Sequence, residues 1–432
     1  MKVLIISAEV WRNDKNGGNV LSNIFEGTGY EFAQIYCNPG QPINSLCKKY
    51  YQITDSMLVR NILKGSRVGK ELIFEDFPNE NKEKRQEAVL ENKKIYGFFR
   101  RHRLESFYVM RSLLWKLAKW KSPELEKFIR DFQPDIIFAP CYASHEMLAL
   151  DRYVKDIVNK PMISYISDDN YSVKQFRISP IYWGNRFILR HNMRKTFPFY
   201  ELVYTMTDEQ MEEYTQELKC NMKILKKYGE FSERNVKHEV NTPIRLIYAG
   251  GIYCGRWKTL AKIVECLRKI NHKKVQMVLD IYTGNKLTDK QMSLLHDGRN
   301  AYVHKSISTK ELKQKYKESD IALHVESFSL KYKLLTRLSF STKIIDCLES
   351  GCAVMAICWK QHSGYTYLKK EDAAICIDST EKIEGVLQHI VDNPEQILLY
   401  SKKAFLCGKR NHQKEIIQKY LKKDFETIGL CK

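Results

Sequence analysis

No run of apolar residues in the 432-residue chain approaches the ~20 consecutive positions that cross a bilayer as a helix. The opening stretch, MKVLIISAEVWRNDKNGG, has one early lysine and a short apolar run that gives way to polar residues. It lacks the longer apolar region and small-residue cleavage site of a secretory leader, so it reads as a first β-strand in a cytoplasmic protein. The twelve cysteines contain no C-x-x-C pair, and no His/Cys cluster stands at metal-ligand spacing. No disulfide, no structural zinc and no bound metal are therefore expected. Cys266, Cys347 and Cys376 fall inside strand or helix patterns, where a thiol behaves as a small hydrophobe. Internal repeats and low-complexity segments are missing. So are a helix-turn-helix, a zinc finger, an RNA-binding aromatic motif and a G-x-G-x-x-G dinucleotide fingerprint.

What is present points to two folded domains. The chain is long for one core, and a hydrophobic content of 44% is ordinary for a packed protein. A net charge of +20 is its unusual bulk property. That balance implies a polyanionic partner, whether nucleic acid, an anionic membrane or a phosphorylated substrate.

Ten short apolar runs recur, each followed by a turn and a helical pattern: KVLIISA, PDIIFAP, PMISYIS, YELVYTM, IRLIYAGG, VQMVLDIYTG, NAYVHKS, DIALHVES, CAVMAIC and AAICID. Nearly continuous Val/Ile/Leu rather than alternation marks strands covered on both faces, which means parallel sheet. Between them lie amphipathic helices such as WKTLAKIVECLRKI, with Leu260, Ile263, Val264, Leu267 and Ile270 on one stripe. The pattern predicts two doubly wound, Rossmann-like α/β domains facing a cleft. The aperiodic stretch 229–243 places the boundary, giving residues 1–238 and 239–432, the second ending in basic helices over 393–423.

The second half carries a phosphate-binding pattern. YAGGIYCGRWKTL (248–260) reads as strand, glycine-rich turn and helix start, with Gly251 in the turn and Arg256 and Lys258 at the helix opening. STKIIDCLESGCAVMAI (341–357) opens a second helix on Ser341, Thr342 and Lys343, with Asp346 a turn later. A solvated βα turn accounts for either motif alone, and a helix cap accounts for one hydroxyl. Together they offer three cations and two hydroxyls at the strand ends of one domain, where ligands collect. Charge-assisted hydrogen bonds of about 1.5–3 kcal/mol each suffice for micromolar binding of a nucleoside diphosphate.

These motifs, with DIALHVESFS, resemble the donor half of a GT-B glycosyltransferase, most similar to the family 4 type, many members of which build bacterial capsule or exopolysaccharide. The resemblance covers most of the chain and is strongest from 244 to 360. It implies a nucleotide-sugar donor, UDP- or GDP-linked, with no other cofactor and no metal, and a glycan or lipid-linked acceptor in cell-surface polysaccharide synthesis. It assigns Arg256 and Lys258 to the donor diphosphate, Ser341, Thr342 and Lys343 to the loop around it, and Asp346 to the ribose. Val303, His304 and Lys305 then border the nucleobase. One feature departs from the family's pair of glutamates: Asp346 replaces the second, and Leu338 stands eight residues before it, where the first belongs. Glu326 is the acidic candidate for the first, as a catalytic residue, and reads equally as a strand-end residue at the cleft rim.

In the first half, Gly17 and Gly18 resemble the family's glycine pair, which approaches the donor phosphate from the opposite domain; adjacent glycines also serve ordinary turns. Asp168 and Asp169 end a strand on the cleft side. Asp169 is the candidate general base for the acceptor hydroxyl, against a capping role for one of the two aspartates. His145 is a second cleft candidate. Residues 93–121 hold nine Lys/Arg against Glu105 alone, interleaved with seven aromatics. Their apolar stripe (Leu104, Phe107, Met110, Leu114, Leu117), cationic rim and headgroup-level Trp115 and Trp120 predict docking on the inner face of an anionic membrane, against packing on the domain core. Three other readings stay open: a nucleotide-sugar epimerase or hydrolase of the same fold, a basic nucleic-acid-binding protein without catalysis, and a catalytically dead scaffold that lacks the family's first glutamate.

Overall fold

The computed structural model describes residues 1–12, 16–42, 44–74, 105–232 and 236–430. All ten apolar runs form strands, divided between two sheets. The first sheet holds β1 (Lys2–Ser7), β2 (Glu31–Tyr36), β3 (Cys47–Gln52), β4 (Lys70–Ile73), β5 (Ile136–Pro140), β6 (Met162–Ile166), β7 (Leu202–Thr205) and β8 (Met222–Ile224). Their spatial order is β4-β3-β2-β1-β5-β6-β7-β8. The second holds β9 (Ile244–Ala249), β10 (Met277–Thr283), β11 (Ala301–Lys305), β12 (Ile321–Val325), β13 (Ala353–Ile357) and β14 (Ile375–Ile377), in the order β11-β10-β9-β12-β13-β14. Every neighbouring pair is parallel except β3 and β4.

Burial on both faces explains the apolar runs. Val3 to Ile6 of β1 and Ala353 to Ile357 of β13 are all fully buried, because helices cover each sheet on both sides. The helix Arg256–Ile270 buries Leu260, Ile263, Val264, Leu267 and Ile270, the stripe its spacing predicts. Four strands carry no comparable run. β2 is interrupted by the buried Gln34, whose amide bonds Ser7 Oγ and the Glu9 carbonyl and accepts from Trp11 N. β3 exposes Lys48 and Lys49, and β4 and β8 are only four and three residues long.

Of the terminal helices assigned to the second half, Glu395–Asn411 packs against β13 of the second sheet, and the last described helix does not. Lys414–Leu430 packs on the first sheet instead. Phe425 is fully buried against Phe25, Phe138 and Tyr30, while Asp424 accepts from Tyr204 Oη at 2.8 Å and pairs with Lys223. The sequence shows that this helix is amphipathic, but not which sheet its apolar face meets.

The segment expected to dock on a membrane divides. Residues 93–104 lie outside the described residues, and 105–117 form the helix Glu105–Leu117. Trp115 and Trp120 are buried in the first domain's core and do not reach a headgroup layer. Trp115 donates to Asp55, and Trp120 to the Trp115 carbonyl. Arg111 is tied to Asp55 and Glu146, so it is no rim cation. Met110 and Leu117 of the expected stripe are exposed, together with Tyr108, Val109 and Leu113. Among the described residues no helix is long and apolar enough to cross a membrane.

Candidate functional site

The C-terminal ends of the second sheet gather the residues expected to bind phosphate. β9 ends at Ala249, and Gly250 follows at φ 145°, a conformation side chains rarely adopt. A Cβ there would stand 2.0 Å from Lys343 Nζ, so the glycine is what lets the lysine lie over this turn. Lys343, at the start of the helix Lys343–Glu349, donates to Tyr248 Oη at 3.3 Å and sits above that ring. No carboxylate stands within ion-pair distance of Lys343 among the described residues. Burial, followed by the nearby Arg256 charge, pushes its pKa down to about 8. Ser341 and Thr342 precede this helix, and neither hydroxyl caps it. The capping explanation for these hydroxyls does not hold.

The helix Arg256–Ile270 begins after Gly255, which is at φ 75° with the Tyr332 ring and Ser327 Oγ 2.6 and 2.7 Å from where a Cβ would be. Gly255→Ala is expected to cost roughly 1–3 kcal/mol through this crowding and backbone strain. Urea unfolding measures it, and an unchanged midpoint would show that the loop relaxes freely. Arg256 then turns inward to Glu326, with its Nε 3.0 Å from both carboxylate oxygens and Nη2 2.6 Å from Oε1. Glu326 is 2% exposed, so this is a buried, two-pronged ion pair. The two residues expected to serve the donor separately hold each other. Lys258 is exposed, lies over the Trp257 ring and makes no ion pair among the described residues.

Gly251 accepts from Tyr248 Oη through its carbonyl at 2.6 Å. His304, at the end of β11, stacks on Tyr282 with ring centroids 4.6 Å apart and bonds Asp280 at 2.7 Å. Asp346 faces Lys227 of the segment after β8, at 3.0 Å. Gly17 and Gly18 lie in the first turn of the helix Asn16–Phe25, which follows β1 after the undescribed residues 13–15.

Across from these groups, Asp168 and Asp169 follow β6 and touch the second half directly. Asp169 has a side chain 1% exposed. It accepts from Ser172 N and Oγ and from Tyr214 Oη, and it pairs with Arg337 and Arg186. Burial alone would raise its pKa, but these donors and the two guanidinium charges hold it below the usual carboxylate range. A carboxylate so shielded and so weakly basic is a capping and bridging group, which corrects its assignment as general base. Asp168 is exposed, and among the described residues its carboxylate accepts from Ser339 Oγ alone, at 3.3 Å. His145 has both ring nitrogens engaged, by Asn185 and Asn192, and is structural.

A cluster that the sequence spacing did not show lies behind the Arg256–Glu326 pair. His324, Cys358 and His362, all buried, bring one ligand atom each within 4.8 Å of one another. Cys358-x-x-x-His362 is the local half of this set; His324 arrives through the pairing of β12 with β13.

No protein-family model matches the chain, and no curated protein matches its sequence. Solved structures do share its fold. HepE from Anabaena, in complex with UDP, superposes with a TM-score of 0.63 at 11% identity, over 99% of this chain and 100% of that one. Sucrose-phosphate synthase from Thermosynechococcus elongatus gives 0.61 at 10% identity, over 99% and 98%. An E. coli structure described as trehalose-6-phosphate bound with UDP-2-fluoro glucose gives 0.57 at 8% identity, over all of both chains. The architecture is GT-B: two Rossmann-like α/β domains with helices at the C-terminus.

Proposed function

We propose that the chain transfers a glycosyl group from a nucleoside-diphosphate sugar to an acceptor hydroxyl. The observation that carries this reading is Lys343: a half-buried cation with no carboxylate partner among the described residues, set over Gly250 at the strand ends of a GT-B second domain. Neutralising such a cation is what a diphosphate does. Lys343, Lys258 and the free hydroxyls of Ser341 and Thr342 hold the diphosphate, with Gly251 in the turn beside it and Gly17 and Gly18 approaching from the first domain. Asp346 and the Tyr282–His304 stack face the nucleoside. Arg256 and Glu326, paired in the interior, brace the end of β12 against the helix that opens beside the diphosphate turn. In the transfer the anomeric carbon–oxygen bond to the diphosphate breaks, and the bond to the acceptor oxygen forms as that hydroxyl loses its proton. Asp168, exposed at the end of β6 and in no ion pair among the described residues, receives this proton in place of Asp169.

The donor is UDP- or GDP-linked; solved structures of this fold carry UDP, UDP-glucose and UDP-2-fluoro glucose. The acceptor is a glycan or lipid-linked sugar of cell-surface polysaccharide synthesis. Lysines neutralise the leaving group, so transfer needs no added magnesium or manganese. Incubation with a panel of UDP- and GDP-sugars tests the reading through slow donor hydrolysis. Nucleoside diphosphate released from one donor, unaffected by omitting divalent ions, is expected; no turnover or binding of any donor would overturn it.

The same reading places the enzyme on an anionic membrane, at the cytoplasmic face. Tyr108, Val109, Met110, Leu113 and Leu117 are exposed beside Ile62 and Leu63 of the helix Asp55–Lys64, with Lys64, Lys116, Lys119 and Lys121 around them. Each cation near such a surface contributes about 1 kcal/mol, and the apolar side chains insert at the interface. Vesicles containing anionic lipid are expected to sediment the protein at low salt and release it at high salt. Met110→Asp with Leu113→Asp should abolish sedimentation; unchanged sedimentation would move the docking surface elsewhere.

A further inference from the structure

We propose that His324, Cys358 and His362 form a binding site for a zinc-class divalent cation. The inference is independent of sugar transfer and rests on the composition of this buried cluster. His324 is 2% exposed, His362 1% and Cys358 fully buried. Nε2 of both histidines is buried without a hydrogen-bond partner. Buried polar atoms are normally satisfied, and two orphaned imidazole nitrogens in a buried cluster with one thiol are what a missing shared ligand leaves behind.

The donor set selects the ion. Two imidazoles and a sulfur favour zinc, cobalt or copper over magnesium or calcium, which take oxygen ligands. No fourth His, Cys or carboxylate joins the cluster among the described residues, so a tetrahedral ion keeps one position for water. The ligand atoms, within 4.8 Å of one another, need only a small contraction around an ion with bonds of about 2.0–2.3 Å.

The surroundings also bear on the ion. Arg256 and Lys343 lie close enough to His324 to oppose added positive charge. Loading displaces the Cys358 thiol proton to solvent, so the ion adds one net charge rather than two. His362 currently accepts from Gly364 N at its Nδ1, 3.1 Å away. Ligation through Nε2 moves the ring proton to Nδ1, and that cap bond opens. The bound ion ties the ends of β12 and β13 to the start of the helix Ser363–Lys370, behind the Arg256–Glu326 pair.

Cobalt(II) and zinc(II), added separately to the full chain, test this. After gel filtration the wild-type protein is expected to retain one ion per chain, and the cobalt form to show a thiolate-to-cobalt charge-transfer band in the near ultraviolet. Cys358→Ser should abolish the band and weaken zinc binding at least about 100-fold, more than loss of an outer-shell partner causes. Cys254→Ser, at a partly exposed thiol outside the cluster, should change neither. Circular dichroism confirms that each variant is folded. Wild-type protein that retains no ion and shows no band overturns the site, as does a band that persists in Cys358→Ser.

Discussion

Replacing Lys343 by alanine is expected to weaken nucleoside-diphosphate binding by roughly 30-fold or more. Removing one partner of a buried charge pair costs about 2–5 kcal/mol, much of it from the phosphate left unpaired. Calorimetry with UDP and GDP measures the change, and unaltered affinity in a folded variant would remove Lys343 from the donor site. A pH series gives an independent check on the same residue. In the free protein the ammonium loses its proton near pH 8, while a bound diphosphate requires it charged. Affinity should stay level below that pH and fall by up to about tenfold per unit above it. Lys343→Met should show no such break. On stability the sign is opposite. The unfolded lysine titrates near 10.4, so between about pH 8 and 10 the unfolded chain binds more protons, and stability gains from this group as pH rises.

Glu326→Ala is expected to cost about 3–5 kcal/mol of stability, because Arg256 is left buried without its counter-charge. Burial opposes the guanidinium charge, and Glu326 more than compensates, holding the Arg256 pKa above its ordinary value. Replacing both residues by apolar side chains of similar size, Arg256→Met with Glu326→Leu, should recover most of the loss, since neither buried charge then remains. Chemical denaturation of the two singles and the double completes the cycle. Singles that unfold at the wild-type midpoint would show that the pair does not hold the strand end of β12 to the helix Arg256–Ile270.

The two-domain α/β architecture was legible because its strands are buried on both faces. Continuous runs such as KVLIIS and AVMAI cannot sit at a solvated surface, and all ten runs of this kind are strands. β2 escaped because Gln34 sits in mid-strand and finds its partners in the β1 loop, 23 to 27 residues away in sequence. The two cationic motifs were legible in the same way: a glycine turn after a strand puts the following residues at the sheet's C-terminal edge, and Arg256, Lys258 and Lys343 are all found there.

Pairing was decided only by the tertiary structure. Sequence spacing does not reveal that Arg256 spends its charge on Glu326, 70 residues away, while Lys343 meets no carboxylate among the described residues. Nor does it distinguish Asp168 from Asp169. One peptide bond separates them, but Arg337, arriving from the second domain, makes one a weakly basic bridge and leaves the other exposed. Trp115 and Trp120 suit a membrane interface by residue type, yet the helix that places Arg111 against Asp55 and Glu146 turns Trp115 into the core, and Trp120, beyond the helix end, follows by donating to the Trp115 carbonyl. The His324–Cys358–His362 cluster exists because parallel pairing sets β12 beside β13. Local pattern follows from the periodicity of burial along the chain; the charge, exposure and basicity of each side chain depend on partners that only the folded chain brings within a few ångströms.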